Sequence, residues 1–223
     1  MELHDIIVWI GTGIIIVSFF TSLAFAKKIK PLYYRYIFAF ILMGILLSVN
    51  TIASNNYTWR YGLKTRIFIE QALILLQYIM FVLFFSELLK KSVFSKRIKW
   101  LFFLSLPIIL ILIITVHLAN VEIRPSIVPN LILLTFCLFY LTDLMNNKPA
   151  VVLTQSSPFW LVMGIFFSSC IGFPISSLVP FIPEIKEYSN LRFQIFSIQN
   201  ISLIIMYLFI IKSYTCLRHP QIL

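Results

Sequence analysis

Seven uninterrupted apolar stretches occupy most of this chain: residues 6–26, 34–54, 67–89, 99–119, 126–146, 158–182 and 193–213. Each holds the roughly 20 residues that a helix needs to cross about 30 Å of hydrocarbon. No water is at hand inside a bilayer to bond the backbone, so only helices and closed barrels span it. The stretches lack the two-residue alternation of barrel strands. The expected fold is therefore an all-α bundle of about seven transmembrane helices, forming one domain over residues 1–223.

Composition agrees with a lipid solvent. Soluble domains are about half apolar and a quarter charged, whereas this chain is 60% hydrophobic and only 12% charged. The 22 Phe, with Leu and Ile, surround each stretch on all sides, as lipid-facing helices require. The formal net charge of +10 sits in short clusters between the stretches and not along one polar face. That placement points to anionic lipid headgroups and away from nucleic acid. Cys137, Cys170 and Cys216 lie in apolar stretches or the C-terminal tail, where no pair is positioned to bridge outer loops. Packing is their expected role.

Charge also sets the orientation. Ala24-Phe25-Ala26 has the form of a signal-peptidase site, but Glu2 and Asp5 stand where a leader carries positive charge. The first stretch also exceeds the usual leader core of about 7–15 residues, so an uncleaved first helix is expected. Lys and Arg accumulate in cytoplasmic loops. With the N-terminus outside, twelve basic residues fall inside against six outside, and five of the eight acids (Glu2, Asp5, Glu122, Glu184 and Glu187) fall outside. The expected topology is N-out/C-in in a bacterial cytoplasmic membrane. Trp9, Trp59, Trp100 and Trp160 fall near the interfaces, where amphipathic rings anchor helices.

An ionisable or amide group inside hydrocarbon is costly and is a functional candidate by default. Glu70, near the outer end of the third stretch, shares a helix face with Gln77, seven residues on, and Tyr78 lies beside it, while Gln71 faces elsewhere. Gln194, Ser197, Asn200 and Tyr207 run down the seventh stretch, and Asn50 and Asn130 mark the second and fifth. Ser168, Ser169, Gly172, Pro174, Ser176 and Ser177 break the sixth with small residues and a proline, which frees backbone carbonyls and lets neighbours approach. Asn50, Glu70, His117, Asn130, Gln194, Ser197 and Asn200 fall in the outer half, with the broken part of the sixth stretch at similar depth, while the inner half is nearly all apolar. The pattern outlines an outward-opening cavity among helices 2, 3, 5, 6 and 7, with Glu70, Gln77, Asn50, Asn130, Gln194, Ser197 and Asn200 as candidate ligand-binding residues. It is equally compatible with interhelical hydrogen bonds, each worth about 0.6 kcal/mol on average. His117 reads as interfacial. At the inner rim Glu87 precedes Lys90 and Lys91 at helix-pairing spacing, and Lys90, Lys91, Lys96, Arg97 and Lys99 form a face for lipid headgroups or a cytoplasmic signalling partner.

Several chemistries are missing from the sequence. There is no His-Glu-x-x-His motif, no Gly-x-Ser-x-Gly elbow and no phosphate-binding loop. His219 lies across the membrane from His4 and His117 in this topology, so the three histidines cannot share a metal. The lysine of the seventh stretch, Lys212, sits at its inner end and not mid-helix, which excludes retinal Schiff-base chemistry. No metal, cofactor or catalytic residue is assigned.

Leu76-Gln77-Tyr78-Ile79, the run Phe84-Phe85-Ser86-Glu87-Leu88-Leu89-Lys90-Lys91, and Pro158-Phe159-Trp160 with Gly164 resemble a group of uncharacterised small seven-helix membrane proteins of Bacteroidetes, often encoded beside sensor kinases. The resemblance covers about a third of the chain and implies a sensory accessory role. It also implies an acid in helix 3 where this chain has Gln77. The leading expectation is a non-enzymatic membrane receptor or sensor component. The alternatives are a secondary transporter, which needs midplane polar groups and access from both sides, a structural subunit of a membrane complex, and a lipid-modifying enzyme built on Glu70 and His117.

Overall fold

Every apolar stretch is helical in the computed structural model, which describes residues 3–25, 32–56, 63–119, 126–147, 153–182 and 189–217. The helices are α1 (Leu3–Phe25), α2 (Tyr33–Asn56), α3 (Leu63–Leu88), α4 (Ser95–Ala119), α5 (Ile127–Asn147), α6 (Ser157–Leu178) and α7 (Ser189–Cys216). No strand occurs among the described residues. Several helices outrun their apolar stretches. α4 starts at Ser95 because Lys96, Arg97 and Lys99 are good helix formers and carry the helix into the polar rim. Pro158 sits in the first turn of α6, where its missing N–H removes no helical bond.

Lengths of 21 to 28 residues for α5 and α7, at about 1.5 Å per residue, match or exceed the hydrocarbon thickness. Five helices contain a described stretch long and apolar enough to cross a membrane: Phe68–Leu88, Ser95–Thr115, Ile127–Asn146, Ser157–Leu178 and Gln194–Cys216. The corresponding stretches of α1 and α2, Trp9–Phe25 and Tyr33–Val49, are shorter. The chain is thus a helical, multi-pass membrane protein.

Six helices close into a ring. α1 packs on α2, α2 on α3, α3 on α5, α5 on α6, α6 on α7, and α7 returns to α1. α4 stands outside the ring, packed mainly on α3 and α5, and exposes Trp100, Phe103, Leu104, Ile111 and Ile114. The most extensive contact is between α6 and α7, and Gly164 is what allows it. A Cβ there would lie 3.0 Å from Phe209 Cβ and 3.2 Å from the Met206 carbonyl oxygen. Lipid offers apolar side chains no less than a neighbouring helix does, so close backbone approach supplies much of the attraction.

The half of the ring that holds the C-terminal end of α1 is not the plain apolar plug expected from the sequence. Tyr34, Ser157 and Ser213 form a buried hydroxyl knot joining α2, α6 and α7. Ser157 Oγ donates to the Ser213 carbonyl at 2.7 Å, lies 2.8 Å from Ser213 Oγ and hydrogen-bonds the Tyr34 hydroxyl. Rings wrap the knot: Tyr34 and Tyr214 centroids lie 5.2 Å apart, and Phe25 stacks on Tyr214. Hydroxyls are short enough to hide among apolar neighbours, so hydropathy misses them.

Ser157 is the hub of the knot, which orders the effects of two substitutions. Ser157→Ala strips the Tyr34 hydroxyl of its near partner and should cost about 1–2 kcal/mol. Tyr34→Phe leaves the Ser157–Ser213 pair intact and should cost less than half as much. Thermal unfolding of the two variants in one detergent checks the order; a larger loss for Tyr34→Phe would show that ring packing, and not hydrogen bonding, holds this end.

Candidate functional site

A cavity of about 350 Å³ opens inside the ring, within the range of small-molecule sites. Among the described residues all six ring helices line it and α4 does not: Gly11 and Thr12 on α1, Phe40, Gly44 and Ser48 on α2, Gln77, Tyr78 and Phe81 on α3, Ser126 just before α5 and Asn130 on it, Ser168 and Ser169 on α6, Asn200 and Tyr207 on α7. The lining reaches from the middle of the bundle (Phe40, Gly44, Phe81 and Tyr207) towards the end that holds the N-terminus of α1 (Gly11, Ser126, Asn130 and Asn200). The hydroxyl knot and its rings close the opposite end.

The cavity is graded along its length. Phe40, Phe81 and Tyr207 form an aromatic floor, with centroids 4.3 Å apart for Phe40–Phe81 and 5.8 Å for the stacked Phe40–Tyr207 pair. Gly44 makes room for the Tyr207 hydroxyl, which a Cβ at that position would strike. Gln77 lies one turn above Phe81, and Asn200 lies seven residues, or roughly 10 Å, above Tyr207. Asn130 packs its amide on Gly172, where a Cβ would come within 3.0 Å of Nδ2. Some of the hydroxyls are internally spent: Ser48 donates to the Gly44 carbonyl at 3.0 Å, and Ser126 pairs with Ser176 at 3.0 Å. Tyr78 turns its hydroxyl to Ser105 of α4 at 2.6 Å. The amides of Gln77, Asn130 and Asn200 hold no hydrogen bond among the described residues. Three carboxamides, each with two donors and an acceptor oxygen, therefore face the void from α3, α5 and α7.

The structure brings together Gln77, Asn130 and Asn200 of the candidates. Glu70 is half-buried on the Gln77 face of α3, about 6 Å beyond the lining residue Ile74, and already has a partner of its own. Gln194 is exposed and Ser197 is buried outside the lining. Each three-residue step rotates the helix 60° short of a full turn, so Gln194 stands about 120° from Asn200. The side chains of Asn50 and His117 lie outside the described residues. Sequence reasoning missed α1 as a wall, although Gly11-Thr12-Gly13 interrupts an otherwise bulky run. It also missed Tyr207 as the floor.

At the other end of the bundle Lys90, Lys91, Lys96, Arg97 and Lys99 are all exposed. Lys90 pairs with Glu87 at 3.6 Å, and the Arg97 guanidinium lies 5.6 Å from the centre of the Phe94 ring. Ser92 Oγ donates to Asp143 Oδ1 at 2.5 Å, tying the α3–α4 turn to α5. Lys96, Lys99, Trp100 and Phe103 line a shallow groove on α4. Among the described residues no three His, Cys, Asp or Glu side chains gather as a metal site would require. No family model, curated protein or solved structure matches this chain.

Proposed function

We propose that this chain is a non-enzymatic receptor or sensor component of the bacterial cytoplasmic membrane. All seven helices cross, N-out/C-in, and a small ligand enters the cavity from outside. The observation that carries this reading is a cavity walled by six helices and closed beneath by rings and the hydroxyl knot. α7 links the two levels, because it bears Asn200 and Tyr207 at the cavity and Ser213 and Tyr214 at the knot. A ligand that shifts α7 would shift both, and a ligand moves such an equilibrium by its differential affinity for the two states. The basic face of Lys90, Lys91, Lys96, Arg97 and Lys99 would then present the shift to an acidic cytoplasmic signalling partner, or rest on anionic headgroups. The resemblance to small seven-helix proteins encoded beside sensor kinases supports the same role.

A secondary transporter is the second reading, favoured by the knot itself, which stands where an inner gate would have to open. One experiment separates them. In a chain lacking Cys137, Cys170 and Cys216, a cysteine replacing Asn200 should react with an impermeant maleimide in right-side-out vesicles and not in inside-out ones. Reaction from both faces would establish alternating access and replace the receptor by the transporter.

A further inference from the structure

Among the described residues the cavity has no charged lining side chain, and this constrains what it can hold. Moving an ion out of water into a low-dielectric site without a counter-charge is strongly unfavourable. Glu70, on the Gln77 face of α3, stands a turn beyond the lining residue Ile74 and already has a partner of its own. What the cavity does offer is unspent amide capacity at one level and three aromatic rings at the next. Aromatic walls favour a ring in offset or edge-on contact. Gln77, Asn130 and Asn200 complement any group that accepts or donates hydrogen bonds without carrying charge.

Resting on the reading of the cavity as a ligand site, we propose that its ligand is an uncharged, ring-bearing small molecule with a hydrogen-bonding head. The ring lies on Phe40, Phe81 and Tyr207, and the head meets the amides of Gln77, Asn130 and Asn200. The roughly 10 Å from Tyr207 to Asn200 sets its length at one ring and a short polar arm.

A matched series tests this on the purified full chain in detergent. Phenylacetamide, phenethylammonium and phenylacetate share ring and reach and differ in charge, and their binding is followed by ligand-observed NMR and by thermal shift. Phenylacetamide should bind at least tenfold tighter than either ion. Asn130→Leu and, separately, Asn200→Leu should each weaken it about tenfold with the unfolding temperature held, whereas Glu70→Gln should leave it unchanged. Preference for phenethylammonium, lost on Glu70→Gln, would overturn the neutral ligand while keeping the cavity as a site. Preference for phenylacetate would overturn it likewise. Failure of all three to bind a folded chain would remove the cavity as a ligand site and the proposal with it.

Discussion

A cysteine placed at Val93 or Met145, in a chain freed of its native cysteines, will remain unlabelled by an impermeant maleimide in intact cells, whereas one at Phe181 will react fully. The three positions are 85%, 79% and 84% exposed, so access to the reagent and not burial decides the outcome. Val93 lies in the turn between α3 and α4, and Met145 in the last turn of α5, at the end of the bundle that carries the Lys90 to Lys99 cluster. Phe181 closes the short turn after α6 at the opposite end. The barrier between them is a hydrocarbon layer of about 30 Å, and in the proposed N-out/C-in topology the basic end faces the cytoplasm. Permeabilising the cells should bring Val93 and Met145 to full labelling. Labelling of Val93 in intact cells, with Phe181 protected, would invert the topology, and the cavity would then face the cytoplasm.

Two glycines that look alike in the sequence should respond very differently to the same change. At Gly164 a new side chain meets Phe209 Cβ at 3.0 Å and the Met206 backbone at 3.2 Å. Backbone cannot swing aside, so Gly164→Leu must push α6 away from α7 and should cost about 1–3 kcal/mol or prevent assembly. At Gly13 a Cβ meets nothing within 4 Å. Gly13→Leu should leave stability unchanged or raise it slightly, because removing glycine from a helix interior is favourable by up to about 1 kcal/mol. Thermal unfolding of both variants beside the parent is the measurement. Equal losses at the two sites would mean that α6 and α7 do not touch where the structure places them.

The sequence determined by itself that the chain is helical and lives in a membrane, because a run of some 20 apolar residues has few other ways to satisfy its backbone. The seven helices lie where the apolar runs lie, and the extra residues at their ends are good helix formers that hydropathy ignores. Gln77, Asn130 and Asn200 were legible as well, since an amide in hydrocarbon is conspicuous. Which amides meet was decided by tertiary structure. The helical angle between Gln194 and Asn200, the ring order that seats α1 beside α7 and leaves α4 outside, and the close contact at Gly164 come from helix-on-helix packing. All the helices are uniformly apolar, so no amphipathic stripe in any one of them records its neighbours. The hydroxyl knot of Tyr34, Ser157 and Ser213 was invisible for the same reason: residues 123 and 56 positions apart become partners only when three helices close around them.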